Sequence, residues 1–380
     1  MAIAGTTIPL DSTEGMDKIT TTEKITTPYF SNGETDLTSA NIISSSLSDA
    51  NENYFFGISH TDTATTEEFN VTFGSLNGYG AVVGTNKKSR TEAIYKQFAS
   101  ILLAPTEVTG GFIMSSAGSS GAISTGKDSE IFVLSAKRSN MKDRLNKGNR
   151  TIVLSGSNST AAGVAGSGTI SLTDDSVNDT PTATPVGDRY NIVSGSDGTI
   201  VNPATTKTYG WFYPNHGLLV FSATELSASI PGSTVSSSAA VIFQGREAKG
   251  AAAKANPLRG HAGFHTNPVT NQDSNNALRF ANCLRADGAK LKFRDEEDQI
   301  SKQFFCRFPA GGMNFSNNPT FVSGSDNELR QKTMWDNPTV YISQVQLYDS
   351  AHNLVAVGSL STPLKKNFSS EATIKVKLTY

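Results

Sequence analysis

Residues 337–380 read NPTVYISQVQLYDSAHNLVAVGSLSTPLKKNFSSEATIKVKLTY, and their patterning decides the fold class. Ala372, Ile374, Val376, Leu378 and Tyr380 alternate with Thr373, Lys375, Lys377 and Thr379. A period of two sends one set into a core and the other into water, as in a half-buried strand. Residues 339–347 and 354–360 read as two more strands, joined by a hairpin turn at Asp349-Ser350-Ala351-His352-Asn353. We expect a compact antiparallel unit whose last strand is tied into a sheet.

Working back, short strand-like runs recur along the chain. They are Tyr54-Phe55-Phe56-Gly57-Ile58, the alternating Phe69, Val71 and Phe73, Ile131-Phe132-Val133-Leu134 and Thr151-Ile152-Val153-Leu154. Thr169-Ile170-Ser171-Leu172 and Tyr190-Asn191-Ile192-Val193 follow, then YGWFYPNHGLLVF over 209–221, a hairpin pattern around Pro214-Asn215-His216-Gly217. Lys290 to Arg294 and Gln303 to Phe308 are two further strands, with an acidic turn, Asp295-Glu296-Glu297-Asp298, between them. One segment changes period: Ile94, Phe98, Ile101 and Leu102 stand at i, i+4, i+7 and i+8, which predicts an amphipathic helix over 89–104 ended by Pro105. The expected fold is therefore mainly β, with antiparallel, sandwich-like sheets, one amphipathic helix and an extended N-terminal arm. Residues 1–51 form the arm, 52–250 a β-rich domain carrying the helix, 251–275 an Ala/Gly-rich linker or surface loop, and 276–380 a C-terminal β unit. The arm's polar composition fits either a disordered tail or a segment that orders on a partner subunit.

Composition narrows the function. A net charge of -2 with 17% charged residues lacks the basic excess that nucleic acid or an anionic membrane demands of a principal partner. No apolar run is long enough to span a membrane, and the N-terminus lacks a secretory pattern, so synthesis in a cytoplasm is expected. Cys283 and Cys306 are too few for a disulfide framework and read as buried small hydrophobes. The five histidines include one close pair, His261 and His265, in a Gly-rich loop without carboxylate or thiolate company. Gly163 to Gly168 lacks dinucleotide-binding spacing, and neither a Walker sequence nor a nucleophile elbow occurs. We expect no enzyme, no cofactor and no metal.

The strongest local charge signal is the connector between the strands at 131–134 and 151–154. There Lys137, Arg138, Lys142, Arg144, Lys147 and Arg150 face a lone Asp143. It reads either as a solvated loop or as a docking surface for an acidic neighbour. With Lys375 and Lys377 on the final strand, these are the candidate protein-interaction residues.

SNNPTF at 316–321, VSGSDNELR, NPTVYISQVQLYD, NLVAVGSLSTPLKK and IKVKLTY together resemble the C-terminal region of virion structural proteins of large contractile-tailed, cyanophage-like bacteriophages. IFVLSAKRSNMKDRLNKGNRTIVLSG, GTISLTDDS, RYNIVSGSDGTI and YGWFYPNHGLLVF are similar to the same proteins. The resemblance covers the chain from about residue 130 onward; the first fifty residues and the segment near Ala251 fall outside it. It implies a non-enzymatic virion subunit, a baseplate wedge or tail component present in multiple copies that holds neighbouring virion proteins together. The alternatives are a neck, tail-fibre-attachment or capsid decoration protein that binds a host-surface glycan or receptor. That role would need exposed aromatics, for which Trp211, Phe212 and Tyr213 are candidates, although their apolar hairpin suits a core.

Overall fold

The computed structural model describes residues 10–11, 16–38, 40–44, 55–60, 66–76, 78, 91–108, 111–114, 127–155, 169–201, 203, 207–223, 225–226, 276–285, 288–314, 321–326 and 328–380. The linker expected at 251–275, with His261 and His265, and the Gly-rich run at 163–168 lie outside these residues. The chain is mainly β and its pairings are antiparallel, as expected. It forms two compact units, Ile25–Glu297 and a second built from Met1–Lys24 with Asp298–Tyr380.

In chain order the strands begin with β1 (Lys18–Pro28), β2 (Asp36–Leu37), β3 (Ala40–Ser44), β4 (Phe55–His60) and β5 (Glu67–Ser75). Helix α1 (Thr91–Leu102) precedes β6 (Glu130–Ala136), β7 (Arg144–Leu145), β8 (Thr151–Ser155) and β9 (Thr169–Asp174). Next come β10 (Thr182–Thr184), β11 (Gly187–Ser196), β12 (Thr199–Ile200), β13 (Thr208–Tyr213) and β14 (Leu218–Ser222). Helix α2 (Asn276–Arg285) leads to β15 (Lys290–Lys292) and the long β16 (Arg294–Phe308). The chain closes with β17 (Val322–Ser323), β18 (Glu328–Leu329), β19 (Val340–Tyr348), β20 (Leu354–Lys366) and β21 (Ala372–Thr379).

The larger unit is built on one sheet ordered β2-β15-β8-β9-β11-β13-β14-β6-β5-β4-β3. Its two end strands are consecutive in the chain, so the sheet must curl until its edges approach, which makes a nearly closed, barrel-like wall. Helix α2 touches β3, β4 and β5 near one end of this path and β8 and β15 near the other. Only the concave side can offer both sets, so α2 fills the barrel. Ala277, Phe280, Ala281, Cys283 and Leu284 are buried there against Phe56, Phe69, Phe132, Leu154, Leu172 and Phe221. Phe280 stacks on Phe132 with ring centroids 4.8 Å apart. A second core lies on the convex side, where Tyr95, Ala99 and Leu102 of α1 pack with Ile131, Val133, Trp211, Tyr213 and Val220. Strands β6, β13 and β14 are thus covered on both faces. That is why Ile131 to Leu134 is a continuous apolar run rather than an alternating one.

Three local differences separate the structure from the sequence expectations. Tyr29, Phe30 and Leu37, expected in an arm, sit in the barrel core with Phe69 and Phe293, because their apolar area is better buried than exposed. The helix buries Tyr95 and Ala99 besides the expected Leu102, with Phe98 packed partly against the same core, while Ile101 is 47% exposed. The acidic run at 295–298 is not a turn but the start of β16, in which Asp295 pairs with Leu145 and Glu296 with Arg144. A second helix, α2, fills the barrel, where the sequence predicted a single helix at 89–104.

In the smaller unit, β16 pairs with β21 from Ser301↔Thr379 to Phe308↔Ala372. Strands β19 and β20 form a separate hairpin. Its turn is held by Asp349, whose Oδ1 accepts the backbone N–H groups of Ala351 and Asn353 at 2.9 and 2.7 Å. These bonds hold the Asp349 carboxyl below the usual range, the side-chain bond from Asn353 being the largest cause. The core of the unit is thin. Among the described residues its apolar cluster consists of the buried Cys306, Phe308 and Val345, with Ile342, Leu347, Ile374 and Val376 packed partly against them.

Candidate functional site

The basic connector is engaged by the chain's own groups. Lys137 Nζ lies 3.9 Å from Glu67 Oε2, and Arg138 Nη1 donates to the Asp143 carbonyl at 3.4 Å. Lys142 pairs through Nζ with Glu297, and its backbone N–H donates to Asp295 Oδ2 at 2.5 Å. Arg144 Nε donates to Glu296 Oε1 at 2.8 Å, while Asn146 Nδ2 donates to the other carboxylate oxygen at 2.6 Å. Lys147 Nζ donates to the Tyr190 hydroxyl at 2.6 Å. The acids 295–297 are therefore the counter-charge of the connector, set against it by the β7–β16 pairing. Two short runs of opposite sign were visible in the sequence; their mutual distance was not.

Arg150 is the furthest from a docking residue. It follows the connector in the same inward alternation as Ile152 and Leu154, and it is fully buried. Its guanidinium stacks on Phe212, 3.4 Å from the ring centroid, with Nε 3.4 Å from Asp174 Oδ1. Burial pulls the guanidinium down to about 10, opposed by the charges of Asp174 and Asp175. Asp174 in turn accepts from the Gly148 N–H at 2.9 Å. Burial also raises the Asp175 and Asp295 carboxyls, against hydrogen bonds from Asn191 and from the backbone of Lys142 and Glu296.

On the final strand, Lys375 and Lys377 are exposed, as the alternation required, and Lys375 Nζ stands 6.0 Å from the Phe305 ring. Exposed with them is a set of large apolar side chains that the sequence reading did not single out. The hairpin presents Tyr341, Tyr348, Leu354, Val355 and Val357, with Tyr341 at 63% and Val355 at 61% exposure. Trp335 and Phe368 of the same unit are also exposed, and so is Tyr380, which the alternation had placed on the buried face but which follows the last residue of β21. In register, Leu354 faces Tyr348 and Val357 faces Gln346 across the ribbon. A ribbon that turns β-branched and aromatic groups to water on one side, over a thin core on the other, has the composition of a surface built to be covered. Trp211, Phe212 and Tyr213 are buried in the barrel wall, so they offer no aromatic cleft.

Among the described residues no group of three or more His, Cys, Asp or Glu side chains is arranged to hold a metal ion. No described helix is long and apolar enough to cross a membrane. Neither a protein-family model, nor a curated protein, nor a solved structure matches the chain.

Proposed function

We propose that the protein is a non-enzymatic structural subunit of a bacteriophage virion, a baseplate wedge or tail component of a contractile-tailed particle. It is made in the host cytoplasm and holds neighbouring virion proteins together. The observation that carries the assembly role is the exposed apolar side of the β19–β20 hairpin, since such a patch on a soluble unit is an interface in waiting. The place in a virion comes from the resemblance of the C-terminal strands and of the segments upstream. Arg144 and Arg150 are engaged inside the larger unit, so the docking role falls first to the hairpin with Lys375 and Lys377. Mass spectrometry of purified particles is the test. The protein should be present in stoichiometric, salt-resistant amount, and its confinement to the infected-cell lysate would refute the assignment.

A further inference from the structure

Lys366, the last residue of β20, is fully buried, and its amine faces neutral oxygens. Nζ donates to Asn314 Oδ1 at 2.7 Å, to the Asn367 carbonyl at 3.0 Å and to the Ala310 carbonyl at 3.3 Å. Among the described residues no carboxylate forms an ion pair with it. A lysine this deeply buried ordinarily has one. Asn314 is 2% exposed, and its own amide nitrogen donates to the same Ala310 carbonyl at 2.7 Å. One carbonyl oxygen therefore collects both the lysine amine and the asparagine amide nitrogen, in a site without bulk water. Met313, with φ of 54°, turns the chain just ahead of Asn314.

We propose that Lys366 and Asn314 condense into an intramolecular isopeptide bond. The amine nitrogen attacks the Asn314 side-chain carbonyl carbon, and the Nζ–Cγ bond forms. The lysine nitrogen passes one proton toward the amide nitrogen to free its lone pair and a second as the Cγ–Nδ2 bond breaks, so that the amide nitrogen leaves as an ammonium ion. From an ammonium and a primary amide the products are a secondary amide and an ammonium ion; nothing is oxidised or reduced. The hydrogen bond to Oδ1 holds the amine beside the carbonyl group it would attack, so the reaction is intramolecular and its encounter cost is already met by folding. Among the described residues no carboxylic acid is bonded to the leaving nitrogen to speed its departure, so the bond accumulates with the age of the folded protein rather than during folding. The product would close a loop between residues 52 apart in sequence, in the unit with the thin core. A covalent staple is how small cores gain stability, by limiting the unfolded chain.

Intact-mass spectrometry of the full chain, freshly purified and after weeks at physiological temperature, reads the reaction directly. The expected result is a growing species lighter by one ammonia, which on tryptic digestion yields a branched peptide joining Asn314 to Lys366. In Lys366→Arg the loss disappears, because the guanidinium keeps the charge but does not acylate. Aged protein that retains its full mass, or an ammonia loss that persists in Lys366→Arg as a succinimide would, overturns the proposal.

Discussion

Arg150 and Asp295 show how single ionisable groups are held in this protein. The Arg150 guanidinium has left water for a site between the Phe212 ring and the Asp174 carboxylate. Removing it alone leaves a buried carboxylate without its cation. Arg150→Ala should therefore destabilise by about 3–5 kcal/mol in urea unfolding. Arg150→Met combined with Asp174→Asn should recover most of that loss, because the pair is then replaced by neutral groups of similar volume. Asp295 has the opposite lesson. Burial raises its carboxyl above the unfolded-state value, so the native state takes up a proton at a pH where the unfolded chain still has none. Stability from this group is therefore gained, not lost, as pH falls from neutrality through its native pKa. Unfolding midpoints of the wild type and of Asp295→Asn, measured from neutral to mildly acidic pH, should converge or cross in favour of the wild type as the pH falls.

At the scale of elements, α2 ties together strands from both ends of the larger unit's sheet path. A barrel needs its lumen filled, and here a helix supplies Phe280 and Leu284 to side chains from both ends of the sheet path. Phe280→Ala would empty the space between Phe132 and Phe221, at a cost of about 3–5 kcal/mol in denaturant unfolding. The mirror-image constraint applies where strands approach closely. Gly210 of β13 has no room for a side chain, since a Cβ there would lie 2.1 Å from the Val220 carbonyl oxygen. The long β16 is held by charge as well as by its ladder. Its acids 295–297 would be unfavourable in a strand at neutral pH without Lys142, Arg144 and Asn146 opposite.

For the whole molecule the question is what meets the β19–β20 hairpin. Its inner side contributes Val345 to a cluster with Cys306 and Phe308, while its outer side leaves Val355 and Val357 in water. The double substitution Val355→Lys with Val357→Lys touches no core residue. It should leave the unfolding midpoint within about 0.5 kcal/mol of the wild type, as surface changes generally do. The same variant should lose most of its incorporation into particles, measured by co-sedimentation with virions from complemented infections. Normal incorporation of a folded double variant would remove the hairpin from the assembly role.

The alternation of Ala372 to Leu378 and the turn at Asp349 were legible in the sequence because a strand and a hairpin are local objects, written in period and turn chemistry. So was the pattern of short strands that makes the chain mainly β. The destination of the cations at 142 and 144 was not legible, because it depends on partners about 150 residues away, and separation along the chain carries no record of register. The same holds for Tyr29 and Phe30, whose isolated apolar character looked like an arm until the barrel supplied a core for them. Sequence alone determined that the chain is mainly β and marked many of its strands. Tertiary structure decided which charges meet, which helix is swallowed by the sheet, and which apolar face is left for something else to cover.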